Sequence, residues 1–530
     1  MPGNTLLTGL LKPSAVAPLD LLKDTHKKTP DNPTIVRRFR WWLQPGAAID
    51  AINAQPSMQS AGRPLACSLA SCAEQSQSED AMTALHLKCQ TLFDGTGLQT
   101  RQQQTLIVEN GLLSYVGATA LAPAPQPGDT QVDAGDNFVM PGLVDVHTHL
   151  AFGNAQSEED IDLWTSDEFR ALRGMFFAQH VLAAGVTSMV CPGDSGQLSI
   201  AVRNAVTAGL FEGPRIAASS RVITNRQSLN DWFPSRVGAP EYFTAQLVTS
   251  RSDALAEIRK QAKDGVDLIK IAMDGTHRRP NGEIIAAFTA DETFEMVEEA
   301  HRLGCKVATH AYGREAVMYA ARAGVDLVFH AFYMDDACIE ALLEAGSILA
   351  PTMTFPQNTV DFCQPHDPAI STGYAGYCAR TLEVGSAVLK RAKAAGVPFA
   401  CGSDSGFAVT PYGEWHAREL ELLVTRLGFS PAEALYAATA VGARCMPRGE
   451  TLGSLQVGKQ ADFLLIDGSP LDDIRILQDR SRLKAVYKAG QPVCMDRSPY
   501  NPKQVSDFNS LKWTDLYTRD RVAQLGKWAV

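Results

Sequence analysis

The sequence predicts an α/β protein: a (β/α)8 TIM barrel carrying a small discontinuous β-sandwich. Three observations predict it. A unit of amphipathic helix, glycine stop and short apolar run recurs through the middle of the chain. Eight such runs can be counted, the number that closes a barrel. Hairpin-like β segments stand on both sides of the repeat, and each needs a partner to bury its apolar face.

Taken in order, residues 1–81 mix Pro, Ser, Ala and Gln without a sustained period and are expected to be a loosely ordered extension, dispensable for chemistry. Its basic and aromatic run, Arg37-Arg38-Phe39-Arg40-Trp41-Trp42, is expected to pack on its own protein. Residues 85–92 read as a strand, and Asn110-Gly111 between two apolar runs is a type I′ hairpin signal. The eight barrel strands are expected at 139–149, 186–191, 215–219, 266–271, 305–310, 325–330, 347–351 and 397–403; glycine precedes most of them, as suits a left-handed helix end. Ser430-Pro431-Ala432-Glu433 is a capping-box start for a late helix. Residues 460–466 and 483–487, then Lys488-Ala489-Gly490-Gln491, look like further strands and a tight hairpin. The expected division is therefore 1–81 extension, 82–138 with 447–495 as the composite sandwich, 139–446 as the barrel, and 496–530 as a tail. An open doubly wound sheet would need a phosphate-binding loop, and Gly95-Thr96-Gly97 precedes no helix.

Composition narrows the function. With 45% hydrophobic and 20% charged residues, the 530-residue chain is neither disordered nor fibrous. A net charge of -10 argues against nucleic acid as a partner. The 11 cysteines are odd in number and form no Cys-x-x-Cys pair, which fits a reducing compartment. No membrane-length apolar run or secretory start is evident, so a cytoplasmic protein with no membrane partner is expected. A homo-oligomer acting on a small-molecule substrate is the expected state.

In a barrel the active site lies at the C-terminal ends of the strands. The polar residues there are His147 and His149 on strand one, Lys270 on strand four, His310 and His330 ending strands five and six, and Asp404 after strand eight. Residues at i and i+2 of a strand point the same way, so His147 and His149 can reach one cation. A single rim histidine is more often a hydrogen-bonded core residue, but four with an aspartate favour a metal site. Lys270 stands in the apolar run Leu268-Ile269-Lys270-Ile271, where desolvation is costly. It is either an ion-pair partner or an amine carboxylated by CO2 that bridges two cations.

Pro141-Gly-Leu-Val-Asp-Val-His-Thr-His149, Leu268-Ile-Lys-Ile271, Thr309-His-Ala-Tyr-Gly313, Phe329-His330, Cys401-Gly-Ser-Asp-Ser405 and the tail segment Gly453-Ser-Leu-Gln-Val-Gly-Lys-Gln-Ala-Asp462 resemble the metal-dependent amidohydrolase superfamily, in its imidazolonepropionase-like and prolidase-like branch. The resemblance covers about residues 82–495. It implies two divalent metal ions, Zn2+ by default. His147, His149 and Asp404 would hold the more buried one, His310 and His330 the second, and carboxylated Lys270 would lie between them. It also implies cleavage of a carbon–nitrogen bond in an amide, carbamate or urea by attack of a metal-bound hydroxide. Asp404 would shuttle the proton, and Tyr312 is the nearest candidate to hydrogen-bond the oxyanion. One departure stands out: Asp274-Gly275-Thr276 follows the lysine strand where relatives often carry two glycines.

Gly193-Asp194-Ser195-Gly196 resembles the nucleophile segment of trypsin-like proteases, but that fold is all-β and would leave the four histidines without a purpose. A non-enzymatic scaffold of the same fold would be expected to have lost ligands, and here every position is filled. For the substrate, Trp232, Phe233, Phe332, Tyr333, Phe355, Phe407, Tyr412 and Trp415 on the rim loops predict an apolar or aromatic group. Arg226, Arg278 and Arg279 keep an N-acyl amino acid or X-Pro dipeptide as the competitor, since any one could clamp a carboxylate.

Overall fold

In the computed structural model, which describes residues 83–275, 277–499 and 513–528, the apolar runs in the middle of the chain are parallel strands. The expected extension 1–81, with its basic and aromatic run, lies outside the described residues, as does part of the 496–530 tail. Leu143–Asp145, Val186–Cys191 and Arg215–Ala218 form a three-stranded sheet. Ala245–Leu247, Val222–Thr224, Leu268–Ala272, Lys306–Gly313, Leu327–Tyr333 and Ile348–Ala350, in that spatial order, form a six-stranded one. Every residue of Val186–Cys191 and Leu268–Ala272 is buried. Strands covered on both faces tolerate almost no charge, and Lys270 is the one exception in these two.

The segment expected as the eighth strand carries single bridges rather than a ladder. Leu349 N donates to Pro398 O (2.9 Å) and Ala400 N to Leu349 O (3.0 Å). On its other side Val146 N donates to Cys401 O (2.9 Å), Asp404 N to His147 O (2.8 Å) and His149 N to Ser405 O (2.9 Å). The run 139–149, expected as one strand, is two: Phe138–Pro141 belongs to the sheet of the chain's flanks and Leu143–Asp145 to the three-stranded sheet. The break falls at Gly142, where a Cβ would lie 2.1 Å from Thr187 Oγ1. Only a residue without a side chain lets the backbone pass there.

Helices cover the parallel strands, and their ends follow local chemistry. Arg251–Asp264 starts on Ser250, whose hydroxyl accepts from Asp253 N, and stops at Gly265 with φ +89°. Ala290–Arg302 has a Thr289/Glu292 capping box, and Pro431–Tyr436 has the expected Ser430/Glu433 box. No described helix is long and apolar enough to cross a membrane.

Strands from the two flanks of the repeat pair with one another in one hydrogen-bonded eight-stranded sheet. Leu85–Phe93 pairs antiparallel with Thr100–Glu109, which turns through Asn110 (φ 53°) and Gly111 (φ 77°) into Leu112–Ala118. Positive φ at both central residues is the type I′ geometry that Asn-Gly predicts. Along its other edge Leu85–Phe93 forks: residues 85–88 pair with Thr130–Asp133, and residues 91–92 with Phe138–Pro141. The late strands Phe463–Ile466 and Leu483–Lys488 then extend from Phe138–Pro141. Arg215 ties this sheet to the three-stranded one: its guanidinium donates to both Asp462 carboxylate oxygens (2.9 and 3.1 Å) and to Gln460 Oε1 (2.7 Å).

Candidate metal centre

Lys270 is the middle residue of Leu268–Ala272, His310 and His330 lie within Lys306–Gly313 and Leu327–Tyr333, and His147, His149 and Asp404 lie in the bends after Leu143–Asp145 and after residues 397–403. His147, His149, Lys270, His310 and His330 are buried, and Asp404 is partly exposed. The Nε2 atoms of His147 and His149 lie 3.5 and 3.3 Å from Asp404 Oδ1, and these three residues offer ligand atoms within 4.8 Å of one another. The His310 and His330 rings are 4.7 Å apart, and His330 is 5.5 Å from His147. His330, Thr352 and Asp404 have positive φ (74°, 57° and 57°), a strain of about 1–3 kcal/mol each that the surrounding fold must offset.

Hydrogen bonds fix which nitrogen is free. His149 Nδ1 is 2.6 Å from Gly193 O, and a carbonyl can only accept, so Nδ1 carries the proton and Nε2 is open to a cation. Thr352 Oγ1 donates to Ala350 O (3.1 Å), leaving its oxygen to accept from His147 Nδ1 (3.2 Å); the Nε2 of His147 is likewise open. Burial, with Lys270 nearby, holds the His147 and His310 imidazoles far below their usual range; His330 is lowered chiefly by burial and then by His310. Neutral imidazole is the ligating form.

Lys270 Nζ sits 3.8 Å from the centre of the Phe329 ring, and the His147 ring stacks at 3.8 Å on the same phenylalanine. Burial drives the Lys270 amine well below the usual lysine range, and the charge of Asp404 only partly opposes this. Among the described residues no carboxylate lies within ion-pair distance of it. A neutral, nucleophilic amine is the form that CO2 captures. The donor chemistry fits a divalent cation at His147, His149 and Asp404, with the His310 and His330 imidazoles beside it.

Three supporting residues stand outside the predicted ligand set. Asp145, inside the Pro141–His149 motif, accepts from His147 N (3.0 Å), Ser403 N (3.1 Å) and Ser403 Oγ (2.5 Å), joining strand one to the Asp404 bend. His416 donates from Nδ1 to the same carboxylate (2.7 Å), since its Nε2 accepts from Gly413 N (2.9 Å). Asp274 accepts from Tyr312 N (2.9 Å) and Gly313 N (2.6 Å) and lies 3.5 Å from His310 Nε2; burial pushes its carboxyl up to about 7. The departure from the paired glycines thus orients His310 and Tyr312. The available signal was a charged residue two positions after a buried strand.

Tyr312 lies 4.7 Å from the rings of both His310 and His330, and burial raises its hydroxyl well above the usual range, so it stays a donor at neutral pH. The protease-like segment has another use: Gly193 O holds His149, Asp194 accepts from Ala151 N (2.9 Å), and Ser195 is buried. Of the eight rim aromatics, Phe332, Tyr412 and Trp415 are core residues, and only Trp232, Phe233, Tyr333, Phe355 and Phe407 keep exposed surface. Trp415 turns inward because its Nε1 donates to Tyr517 O (2.7 Å), a partner from the far end of the chain. Arg279 is paired with Glu283 and Glu315, and Arg226 lies 3.6 Å from Asp231; Arg278 instead reaches Tyr377 Oη (3.3 Å).

Known proteins share this arrangement of the chain. Ochratoxinase of Aspergillus niger is 26% identical over 424 residues, covering 76% of this chain and 84% of that protein. Imidazolonepropionase of Solibacter usitatus is 25% identical over 417 residues, covering 73% and 90%. The crystal structure of a Xaa-Pro dipeptidase with methionine in its active site superposes with a TM-score of 0.66 at 25% identity, covering 77% of this chain and 99% of that one. Residues 138–493 match the amidohydrolase family. That stretch holds the parallel sheets and every residue of the candidate centre, so the chain belongs to the amidohydrolase family and is a hydrolase of carbon–nitrogen bonds.

Proposed function

We propose that the enzyme hydrolyses bulky, apolar amides, carbamates or ureas at a binuclear centre. His147, His149 and Asp404 would hold one divalent cation, His310 and His330 the other, with Lys270 as a carbamate between them, and Zn2+ suits the nitrogen and oxygen donors. The observation that carries the reading is the convergence of three ligand atoms within 4.8 Å beside the buried Lys270. When bound, such cations make a water acidic enough to lose its proton near neutral pH and polarise the scissile carbonyl. Asp404, partly exposed at the centre of the site, takes that proton and returns it to the leaving nitrogen. Tyr312 donates a hydrogen bond to the oxygen on which charge develops. Asp274 keeps Tyr312 aimed by holding its amide.

The reading includes the closure of the parallel strands into one eight-stranded barrel over residues 139–446, supported by the 398–405 bridges to Ile348–Ala350 and to strand one. The flanking segments 82–138 and 447–495 form the small accessory domain, while residues 513–528 of the expected tail pack on the middle region at Asp367 and Trp415. We place a homo-oligomeric enzyme in the cytoplasm, on the odd and scattered cysteine count.

Phe407, partly exposed three residues after Asp404, and the partly exposed Phe355 packed on it at 4.8 Å favour an apolar group. An X-Pro dipeptide or N-acyl amino acid is the second reading, favoured by Arg278, which no carboxylate neutralises within 4 Å among the described residues. Metal analysis and matched substrates with and without a free carboxylate separate the two. The expected result is close to two equivalents of divalent metal and turnover of uncharged aryl amides. Turnover of the carboxylates alone, with KM raised in Arg278→Ala, would establish the peptide-like reading instead.

A further inference from the structure

Residues 513–528 lie beyond the stretch matched to the family, yet Trp513 is fully buried and reaches the neighbourhood of the metal centre through a chain of rings. Its indole meets Phe355 edge-on at 5.7 Å and 90°, and Phe407 at 6.1 Å and 63°. Phe355 and Phe407 meet at 4.8 Å. Phe407 abuts Phe152 (5.1 Å), which lies flat on His149 at 4.3 Å and 4°. Of these rings only Phe355 and Phe407 keep exposed surface, and Phe407 follows Asp404 by three residues.

We propose that Trp513 is a specificity-determining residue: by backing Phe355 and Phe407 it fixes the apolar wall of the substrate pocket, and so the size of group the enzyme accepts. This rests on the apolar-substrate reading above. The segment is anchored independently of the indole. Thr514 donates to Asp367 Oδ1 from N (2.8 Å) and Oγ1 (2.5 Å), Tyr517 Oη donates to Asp367 Oδ2, and Arg519 donates to Glu414 Oε2 (3.2 Å) and Gly413 O (2.9 Å). A smaller side chain at 513 therefore leaves the segment docked and opens a void behind the two rings. Core rings relax partly into such a void, and the pocket deepens.

The experiment compares wild type, Trp513→Phe, Trp513→Leu and Tyr517→Phe on anilides whose acyl group grows from acetyl to naphthoyl, and measures inhibition by the matching free acids. Trp513→Phe and Trp513→Leu should raise the naphthoyl-to-acetyl ratio of kcat/KM about tenfold, the scale that pocket-filling differences reach. The change should appear in KM and in the inhibition constants, with metal content kept. Tyr517→Phe, which removes one anchor without touching the wall, should leave the ratio alone. If Trp513→Leu does not fold, Trp513→Phe carries the test. Variants that alter every substrate by the same factor would overturn the inference alone, leaving Trp513 a purely structural residue. A wild-type enzyme that hydrolyses none of the series would overturn the apolar-substrate reading and this inference with it.

Discussion

At Lys270 a single side chain decides between two chemistries. Over the Phe329 ring, with its amine held well below the usual lysine range by burial, it is poorly placed to be a salt-bridge cation and well placed to react with CO2. Lys270→Ala is expected to lose at least a hundredfold in turnover and to recover part of it with added acetate or propionate, which supply the missing carboxylate; Lys270→Arg should stay inactive. Steady-state rates with and without the acids are the check, and a fully active arginine variant would make the residue an ion-pair partner. The six candidate ligands were picked out by their place in or just after the apolar runs, and of these the structure groups His147, His149 and Asp404 within 4.8 Å. Asp145, Asp274 and His416 were not, because their roles are bonds to groups brought close only by folding: Asp145 meets Ser403 and His416 from the other end of the repeat.

Among the elements, the helix Thr354–Phe362 begins on a carboxylate borrowed from another helix. Glu419, in Arg418–Leu427, accepts from Met353 N (2.9 Å), Thr354 N (2.8 Å) and Thr354 Oγ1 (2.7 Å). That start follows Thr352, which orients His147, so the packing of two helices reaches a candidate ligand. Burial pushes the Glu419 carboxyl up to about 7 from an ordinary 4.5, so the folded protein binds this proton more tightly than the unfolded chain does. Its stabilisation is complete below pH ~4.5 and is lost as pH rises through ~7, a change of about 3 kcal/mol at 1.36 kcal/mol per unit. Asp194, raised to about 6, adds a slope of the same sign. Glu419→Gln should cost about 1–3 kcal/mol at pH 5, because an amide nitrogen then faces a backbone donor, and should flatten the decline from pH 5 to 8. Urea unfolding at both pH values measures this. Equal slopes in variant and wild type would show that Glu419 does not titrate there. Elements with a strong local signature were legible in the sequence, such as Val186–Cys191 after its glycine stop and the Ser430 capping box. Val222–Thr224 and Ala245–Leu247 were not, since three residues are too few to show a period. The run at 139–149 misled because apolar residues flank Pro141-Gly142 on both sides and were read through it as one strand, whereas the sheet changes at that dipeptide, where Gly142 passes beside Thr187.

Across the whole molecule, Asp462 joins the flanking sheet to the parallel strands. Its carboxylate takes the Arg215 fork and the amide of Ala489 (2.7 Å), and it is the last residue of the Gly453–Asp462 tail motif. Asp462→Ala is expected to lower stability by about 2 kcal/mol, the cost of leaving a partly buried guanidinium and an amide without an acceptor, while metal content stays unchanged. Calorimetry beside metal analysis checks it, and metal loss at an unchanged Tm would relocate its role to the site. The forked strand order of the same sheet also bears on how the protein is made. Phe138–Pro141 leaves the ribosome with one edge paired to Leu85–Phe93, while the strand that covers its other edge, Phe463–Ile466, is encoded about 320 residues later. At roughly 5–20 residues per second the nascent chain carries that open apolar edge for some tens of seconds, so the parallel strands must be translated, and can begin to fold, beneath a sheet that is still unfinished.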